Sequence, residues 1–382
     1  LYPSAMSRLG GLLKGEPKVI NDCNLNYEYL QKQDGYFIQI KINNVGKKYK
    51  FPLMSNINKS GVREWTNEPT QNLYVDKITL EDLIEYHKIE FDIIDGYYYD
   101  EGRDNSLKEQ IDYLFNERDK LKKEKNPLEQ IFKLIMNSSY GKTLQKPITD
   151  KVNFVKNTEL DKFIDKHYNR ILDGYEKLYG GNEDYSVYRI KTEKGICEHF
   201  NNVHCGIEIL SMSKRIMNEV MCLAEDVNIP LYYQDTDSIH IEEEHINKLA
   251  DKYEDKFNRK LIGKGMGQFH SDFDSDIIKS DIHAIESIFL GKKCYIDVLC
   301  GKDENGNVVY DYHIRMKGVS NLSILYKAKT ENRSLLDIYK SLFDGNPETF
   351  DLCCGGNKVC FERNSNFTIY TKQEFLRTLK FM

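Results

Sequence analysis

One stretch near the middle of the chain, LYYQDTDSIHI at residues 231–241, constrains the fold more than any other. Asp235 and Asp237 lie two residues apart between apolar and β-favouring residues, a pattern that predicts a β-hairpin with its tip at residues 235–237. Strand geometry or a tight turn brings the two carboxylates together. With no cation beside them in the sequence, the pair requires a divalent metal or a proton on one carboxylate. A functionless, aspartate-rich turn is the alternative interpretation.

The composition indicates a soluble, globular protein large enough for two or three domains. The chain has 382 residues, of which 40% are hydrophobic and 30% charged. No apolar run approaches the roughly 18 residues that span a bilayer, so we expect no membrane contact. Nine cysteines without a Cys-x-x-Cys pair predict no zinc site and reduced thiols in a cytosol-like compartment. The chain starts at Leu1 without a charged leader, and we expect it to be cut from a longer protein.

The charge distribution is uneven along the chain. The net charge of −6 argues mildly against nucleic-acid binding. However, residues 118–146 carry eight basic and three acidic side chains, and residues 315–382 carry eleven basic and seven acidic ones. Local basic surfaces bind phosphates whatever the total charge, although ordinary solvated surface explains them equally well.

The order of predicted elements favours an α+β fold over a parallel α/β fold. Helices are predicted at residues 80–87 with Thr79 as the N-cap, 105–125, 128–140 ended by Gly141, 204–226, 245–258 and 334–343. A hairpin is predicted at 27–42, turning at 33–35, and strands at 91–99 (broken at residues 95–96), 267–273, 284–290, 294–299 and 308–313. Gly180-Gly181-Asn182 is predicted to be a flexible tip.

The second of the two central helices presents three chemically useful side chains on one face. Lys133, Asn137 and Tyr140 are spaced i, i+4 and i+7. They offer a cation for phosphate, an amide for hydrogen bonding and a ring for stacking. The alternative is that residues 134–136 form the helix core and that Lys133 is simply solvated.

This helix and the hairpin together resemble family B DNA polymerases. Residues 133–141, Lys-x-x-x-Asn-Ser-x-Tyr-Gly, resemble motif B, and residues 233–238, Tyr-x-Asp-Thr-Asp-Ser, resemble motif C. Residues 1–4, Leu-Tyr-Pro-Ser, resemble the end of motif A, and residues 293–295 resemble the Lys-x-Tyr motif that holds the primer end. The order and spacing of all four motifs agree with the family.

Further segments resemble the protein-primed subgroup found in phages, adenoviruses and linear plasmids. They are residues 15–17, a hairpin near residues 35–36 and residues 80–96, which resemble its first insertion. The implied fold is α+β, a polymerase right hand with an antiparallel palm sheet, helical fingers and a small thumb. The implied boundaries are palm 1–8, first insertion and palm 9–104, fingers 105–146, second insertion 147–200, palm 201–314 and thumb 315–382.

The resemblance implies DNA synthesis by two-metal phosphoryl transfer, with two Mg²⁺ ions or with Mn²⁺. It makes Asp237 a direct metal ligand and Asp235 a second ligand or a support through water. The implied nucleotide-binding residues are Tyr2, Lys122, Lys133, Asn137 and Tyr140, and the implied DNA-binding residues are Gly141, Lys293, Tyr295 and Lys317. The implied partners are primer-template DNA, deoxynucleoside triphosphates and, as an open option, a terminal priming protein. A viral replication site or an organelle is the implied location.

Particular roles follow for several of these residues. Lys133 neutralises the triphosphate, with Arg118 and Lys122 as helpers or merely solvated side chains. Tyr2 lies under the sugar and excludes a 2′-hydroxyl, with a core tyrosine as the alternative. Tyr295 contacts the primer strand, with a buried strand tyrosine as the alternative.

One departure from the family pattern concerns motif A. Its aspartate belongs four residues before Leu1, so we expect these 382 residues alone to be inactive or nearly so. A catalytically inactive relative that only holds primer-template is the competing hypothesis, and both motif C aspartates speak against it. A different two-metal enzyme with a similar palm, such as a cyclase, is a third class, and motif B argues against that.

Overall fold

A computed structural model describes residues 1–21, 23, 25–146, 148–179, 186–194, 202–363, 368–372 and 374–381. The chain forms two compact units. Unit 1 comprises Leu1–Ile229 and Asn247–Gln268, and unit 2 comprises Pro230–Ile246 and Phe269–Met382. The predicted tip at Gly180-Gly181-Asn182 lies outside the described residues.

Unit 1 combines helices with antiparallel sheets. Its helices are α1 (Tyr2–Arg8), α2 (Tyr27–Gln31), α3 (Lys77–Asp82), α4 (Ser106–Lys123), α5 (Glu129–Thr143), α6 (Asn157–His167), α7 (Val203–Asp226) and α8 (Ile246–Phe257). Its strands are β1 (Leu12–Leu13), β2 (Lys18–Val19), β3 (Gly35–Val45), β4 (Met54–Ile57), β5 (Arg63–Thr66), β6 (Leu73–Asp76), β7 (Ile89–Tyr99), β8 (Arg103–Asp104), β9 (Asp150–Lys156), β10 (Glu176–Tyr179) and β11 (Val187–Glu193).

The largest sheet of unit 1 has the order β2-β7-β3-β6 and builds the main core of this unit. Tyr36, Ile38, Ile40 and Ile42 alternate along β3 and are all buried, as expected for a strand with one face on the core. β7 continues through the predicted break. A Cβ at Gly96 would lie 2.4 Å from the carbonyl oxygen of Phe37, so the glycine permits close approach of the paired strands.

Helix α7 is the central helix of unit 1 and packs against α1, α3 and α5. Its buried charges are paired, as burial requires. Glu208 accepts two hydrogen bonds from Arg103 at 2.7 and 3.1 Å. Glu219 accepts from Arg8 of α1 and, at 2.9 Å, from Arg259. The pair of Arg8 with Glu219 fixes α1, which begins at Tyr2, against α7.

Unit 2 combines short antiparallel strand pairs, a three-stranded meander and helices. Its elements are β12 (Tyr233–Asp235), β13 (Ser238–His240), β14 (Ser280–Gly291), β15 (Cys294–Lys302), β16 (Val308–Met316), α9 (Asn321–Glu331), α10 (Leu335–Phe343), β17 (Glu348–Asp351), β18 (Cys360–Arg363), β19 (Ile369–Lys372) and β20 (Leu376–Leu379). The sheet β14-β15-β16 is antiparallel, and its apolar side chains share a core with α9 and α10. Ser334 and Asp337 form a capping box at the start of α10.

Besides the strand break predicted at residues 95–96, four sequence predictions of local structure are wrong. The predicted hairpin at 27–42 is helix α2 followed by β3, because the Asn26 side chain caps the helix by accepting from the Tyr29 N–H at 2.7 Å. Asp76, not Thr79, caps α3, which begins at Lys77. Helix α5 continues through Gly141 to Thr143. The described structure contains no strand at 267–273.

The predicted α+β class is confirmed, since every strand pairing among the described residues is antiparallel. The long helices predicted at 105–125 and 204–226 correspond to α4 and α7. Within the part of the chain that the structure describes, no helix combines the length and apolarity needed to cross a bilayer.

Candidate functional site

The predicted aspartate hairpin of unit 2 is present. Strands β12 and β13 pair Tyr233 with His240 and Asp235 with Ser238, which leaves Thr236 and Asp237 as the two-residue turn. Thr236 has φ of 44°, unusual for a β-branched residue and typical of strained functional loops. The Asp235 side chain is 18% exposed, and Asp237 is exposed at the tip. Both carboxylates therefore lie at the end of the hairpin.

A lysine turn lies directly against this hairpin. Lys292 and Lys293 connect β14 to β15, and Lys293 has a left-handed φ of 59°. Its backbone N–H donates to the Tyr233 hydroxyl at 2.8 Å, and its Nζ lies 3.0 Å from Asp235 Oδ2. The turn is thus held at the hairpin by one neutral and one charged hydrogen bond.

Asp235 and Lys293 shift each other's pKa. Burial alone would raise the pKa of Asp235, but hydrogen bonds from Lys293 and Thr236 outweigh it and lower that pKa. The hydrogen bond to Asp235 raises the pKa of Lys293, and the charge of Asp237 acts in the same direction. Asp235 is therefore ionised at neutral pH, ready to act as a ligand.

The donor set fits a divalent cation. Two aspartates supply hard oxygen ligands of the kind that Mg²⁺ prefers, and the Lys293 ammonium is paired with one of them, Asp235. A second group, Glu242, Glu244 and His245, places its ligand atoms within 4.8 Å of one another. Both glutamates of that group are exposed, as is common for acidic surface residues that bind no metal.

In unit 1, the rings of Tyr2 and Tyr140 stack with centroids 4.1 Å apart and an interplanar angle of 12°. Tyr2 opens α1 and Tyr140 lies near the end of α5. Both rings are half-buried. The structure therefore brings together the ends of two sequence motifs that lie far apart in the chain.

The remaining predicted residues of α5 are accessible. Lys133 and Asn137 are exposed, whereas Met136 on the other side is buried. Of the alternative core at 134–136, only Met136 packs inside, since Leu134 and Ile135 are exposed. A Cβ at Gly141 would meet nothing within 4 Å, so internal packing does not require this glycine.

The basic side chains at the tip of α4 and α5 differ in their partners. Arg118 Nε lies 3.1 Å from Glu129 Oε2, which ties the two helices together. Lys122 is exposed at the end of α4. Arg118 is thus occupied by an ion pair, while Lys122 faces solvent.

The other predicted DNA-binding residues of unit 2 separate into surface and buried positions. Lys317 is exposed, and its backbone N–H donates to the Lys293 carbonyl at 2.9 Å, so the two lysines lie in adjacent turns. Tyr295 is 8% exposed, and burial raises its pKa to about 12. Tyr295 therefore has the surroundings of a buried strand tyrosine, the alternative considered in the sequence analysis.

Sequence analysis missed a polar cluster under the hairpin. Asp297 is fully buried in β15, where it meets His240, His313 and Ser287. An aspartate inside the otherwise apolar stretch of β15 is the signal that could have revealed it.

Comparison with solved structures defines the class of fold. The chain aligns over its full length with phi29 DNA polymerase complexed with primer-template DNA and incoming nucleotide substrates, with a TM-score of 0.61 and 16% identity. A second phi29 DNA polymerase structure, an orthorhombic crystal form, gives a TM-score of 0.54 at 15% identity. The chain covers 56% and 57%, respectively, of the polymerase chains in those two structures. The fold is that of a right-hand polymerase.

Sequence comparison then gives the family. The family described as "DNA polymerase type B, organellar and viral" matches residues 1–253. The DNA polymerase of Acidianus bottle-shaped virus (isolate Italy/Pozzuoli) is 64% identical over 36 residues, which span 9% of this chain and 6% of that protein. The uncharacterized protein 075R of Invertebrate iridescent virus 3 is 29% identical over 151 residues, 37% of this chain and 82% of that protein. Because the family match covers well over half of the chain, the protein belongs to the type B DNA polymerases of organelles and viruses.

Proposed function

We propose that the protein is the polymerase part of a DNA-directed DNA polymerase that extends a DNA or protein primer during viral or plasmid DNA replication. The observation that carries the proposal is the hairpin of unit 2, which presents Asp235 and Asp237 at its end with Lys293 beside them. This is the chemistry required where a phosphoryl group is transferred, because that reaction needs charge neutralisation and positioning more than covalent participation.

Asp235 and Asp237 would hold the metal ions, and Asp237 is the direct ligand. When bound, two Mg²⁺ ions, or Mn²⁺ in their place, supply charge neutralisation and activation of the attacking hydroxyl. Lys293 keeps Asp235 ionised and oriented before an ion arrives, because its Nζ is already hydrogen-bonded to that carboxylate.

Unit 1 supplies the groups for the incoming nucleotide. The exposed ammonium of Lys133 neutralises the triphosphate, with Lys122 as a second cation, and Asn137 hydrogen-bonds near the nascent base pair. The stacked rings of Tyr2 and Tyr140 form a rigid apolar wall, on which Tyr140 faces the base and Tyr2 the sugar. Moving the Tyr2 ring aside for an extra hydroxyl would cost this stacking contact, which is the proposed physical basis for choosing deoxyribose.

The primer and template phosphates would meet a basic surface on unit 2. Lys293 and Lys317 occupy adjacent exposed turns, and the buried ring of Tyr295 supports the floor beneath them. Gly141 in unit 1 leaves its helix surface open to close approach by a nucleic-acid backbone. The paired helices α4 and α5 support the assignment of residues 105–146 as fingers, within the domain boundaries proposed from the sequence.

The experiment is single-nucleotide incorporation on a defined primer-template. It uses the polymerase form, meaning this chain with a motif A strand, including its aspartate, joined before Leu1. We expect incorporation of the nucleotide complementary to each of the four template bases in the presence of Mg²⁺. Binding of the primer-template without incorporation would favour the inactive binding protein instead. Initiation on a terminal protein is tested separately by omitting the DNA primer.

A further inference from the structure

A buried acid lies beneath the aspartate hairpin within unit 2. Asp297 is fully buried and is contacted by three side chains: Ser287 Oγ at 2.7 Å, His313 Nδ1 at 3.0 Å and His240 Nε2 at 3.5 Å. Burial alone would raise the pKa of Asp297, but hydrogen bonds from His240, His313 and Ser287 lower it to about 2. The carboxylate is therefore anionic throughout the neutral range, and all three neighbours are oriented by it.

His240 connects this acid to the metal-binding end of the hairpin. It ends β13 and pairs across the hairpin with Tyr233, two residues before Asp235. The Tyr233 ring stacks on Phe289 at 5.3 Å with an interplanar angle of 7°, and the His240 ring contacts the same Phe289 edge-on at 5.1 Å. The first pair of the hairpin is thus clamped onto the sheet formed by β14 and β15.

The hairpin depends on such an anchor because its strands are only three residues long. Isolated two-stranded hairpins are marginally stable at best in water. The Nδ1 atom of His240 is buried and has no hydrogen-bond partner among the described residues, and the ring's other nitrogen, Nε2, lies 3.5 Å from Asp297, so this carboxylate sets the rotation of the ring. If that carboxylate is lost, van der Waals contacts alone hold the ring, and the hairpin end gains freedom.

We infer that Asp297 is a positioning residue that acts through His240 to hold the carboxylates of Asp235 and Asp237 in place for metal binding. The inference rests on the proposed function, since it takes those two aspartates as the metal ligands. His313 shares the same carboxylate but belongs to β16 and not to the hairpin, so it provides a matched comparison. A purely structural role would make both histidines equally important, whereas positioning requires only His240.

The experiment compares Asp297→Asn, His240→Gln and His313→Gln in the polymerase form. The readouts are the affinity for Mn²⁺ alone, followed by electron paramagnetic resonance, and hydrogen–deuterium exchange of the amides of residues 233–240. We expect Asp297→Asn and His240→Gln each to weaken Mn²⁺ binding about tenfold, as is typical when a group that orients a metal ligand is removed. The double variant should be no weaker than either single variant, because both act along one path. His313→Gln should bind Mn²⁺ within about twofold of the parent.

Several outcomes overturn the inference. Parental Mn²⁺ affinity and parental exchange in His240→Gln would show that the hairpin needs no such anchor, and equal losses in His240→Gln and His313→Gln would show a general structural effect. Should Asp297→Asn fail to fold, the comparison of the two histidine variants decides alone. If Asp237→Asn binds Mn²⁺ as tightly as the parent does, the proposed function is contradicted instead. Hydrogen–deuterium exchange at residues 233–240 then still tests whether Asp297 and His240 hold the hairpin in place.

Discussion

The side chains of Tyr2 and Tyr140 form a parallel stack with ring centroids 4.1 Å apart. Each ring fixes the orientation of the other, although one belongs to α1 and the other to α5. Because an aromatic pair of this kind contributes roughly 1 kcal/mol beyond burial, neither ring moves aside easily. The proposed discrimination between sugars follows from this rigidity.

Replacement of Tyr2 by valine should relax the choice of sugar. In the polymerase form, Tyr2→Val removes the ring expected to block the 2′-hydroxyl, so ribonucleotide insertion should rise at least about tenfold relative to deoxynucleotide insertion, the effect of roughly 1.4 kcal/mol. The measurement is the ratio of kcat/KM values for the two nucleotides. Tyr2→Phe keeps the ring and should retain the parental ratio. An unchanged ratio in Tyr2→Val would remove Tyr2 from the role.

Removal of the Lys133 ammonium should weaken nucleotide use. Lys133→Ala in the polymerase form should lower kcat/KM for deoxynucleotides by about a hundredfold, because a charge-assisted contact to phosphate is worth roughly 3 kcal/mol. Lys123→Ala is the control, since Lys123 is exposed and paired with Asp119 at 2.6 Å. If both variants lose activity equally, the basic segment acts through general charge and Lys133 has no specific contact.

Binding of primer-template DNA to this chain should depend strongly on salt. For about five phosphate contacts, the slope of log K against log salt concentration is roughly −4. Lys293→Ala and Lys317→Ala should each make the slope less steep by about 1, as measured by fluorescence anisotropy. Lys302→Ala, at the opposite end of β15 and paired with Asp281 at 2.8 Å, should leave it unchanged. Equal slopes for all variants would place the DNA elsewhere.

Unit 1 should lose stability as the pH falls below the usual pKa of histidine. His87 is fully buried; its Nδ1 donates to the Lys47 carbonyl at 2.8 Å, and its Nε2 accepts from the Leu53 N–H at 3.0 Å. Burial lowers its pKa, so the folded state keeps His87 neutral while the unfolded chain takes up a proton below about pH 6.5. Neutral His87 therefore contributes to the free energy of unfolding above about pH 6.5, and this contribution is lost as the pH falls from there toward the lowered pKa of the folded state.

The magnitude follows from proton linkage. Between pH 7.5 and 5.5, the free energy of unfolding should fall by up to about 1.4 kcal/mol on account of His87. Urea unfolding of the parent and of His87→Gln measures this contribution, because the variant cannot titrate and should show a correspondingly smaller change with pH. The same pH dependence in both proteins would mean that folding does not lower the pKa of His87, which would contradict this prediction.

Local sequence patterns predicted those parts of the molecule that local interactions decide. Strand-favouring residues around Asp235 and Asp237 gave the hairpin, and the apolar periodicity of α4 and α7 gave the long helices. Helix α2 was missed because it is only five residues long and depends on the Asn26 cap, a single hydrogen bond beside a strand pattern. Whether such a short element forms depends more on individual hydrogen bonds than on the periodicity of apolar residues.

The support of the candidate site could not be predicted, because it depends on pairs far apart in the chain. His240 meets Asp297 only after β14 and β15 have formed a sheet beneath the hairpin. Likewise, the buried position of Tyr295 results from rings contributed by β12, β13 and β16. The residue types at the motifs were visible in the sequence, whereas the contacts that orient them arise from tertiary packing.

The most direct test of the central claim is primer extension by the polymerase form carrying Asp237→Asn. The substitution keeps the size of the side chain and removes its charge, so extension in Mg²⁺ should fall at least about a thousandfold while primer-template binding stays within about twofold. Asp255→Asn, an exposed aspartate on α8, is the matched control and should extend at the parental rate. Extension by Asp237→Asn within tenfold of the parent, with the same primer-template bound, would contradict the assignment of this hairpin as the catalytic metal site.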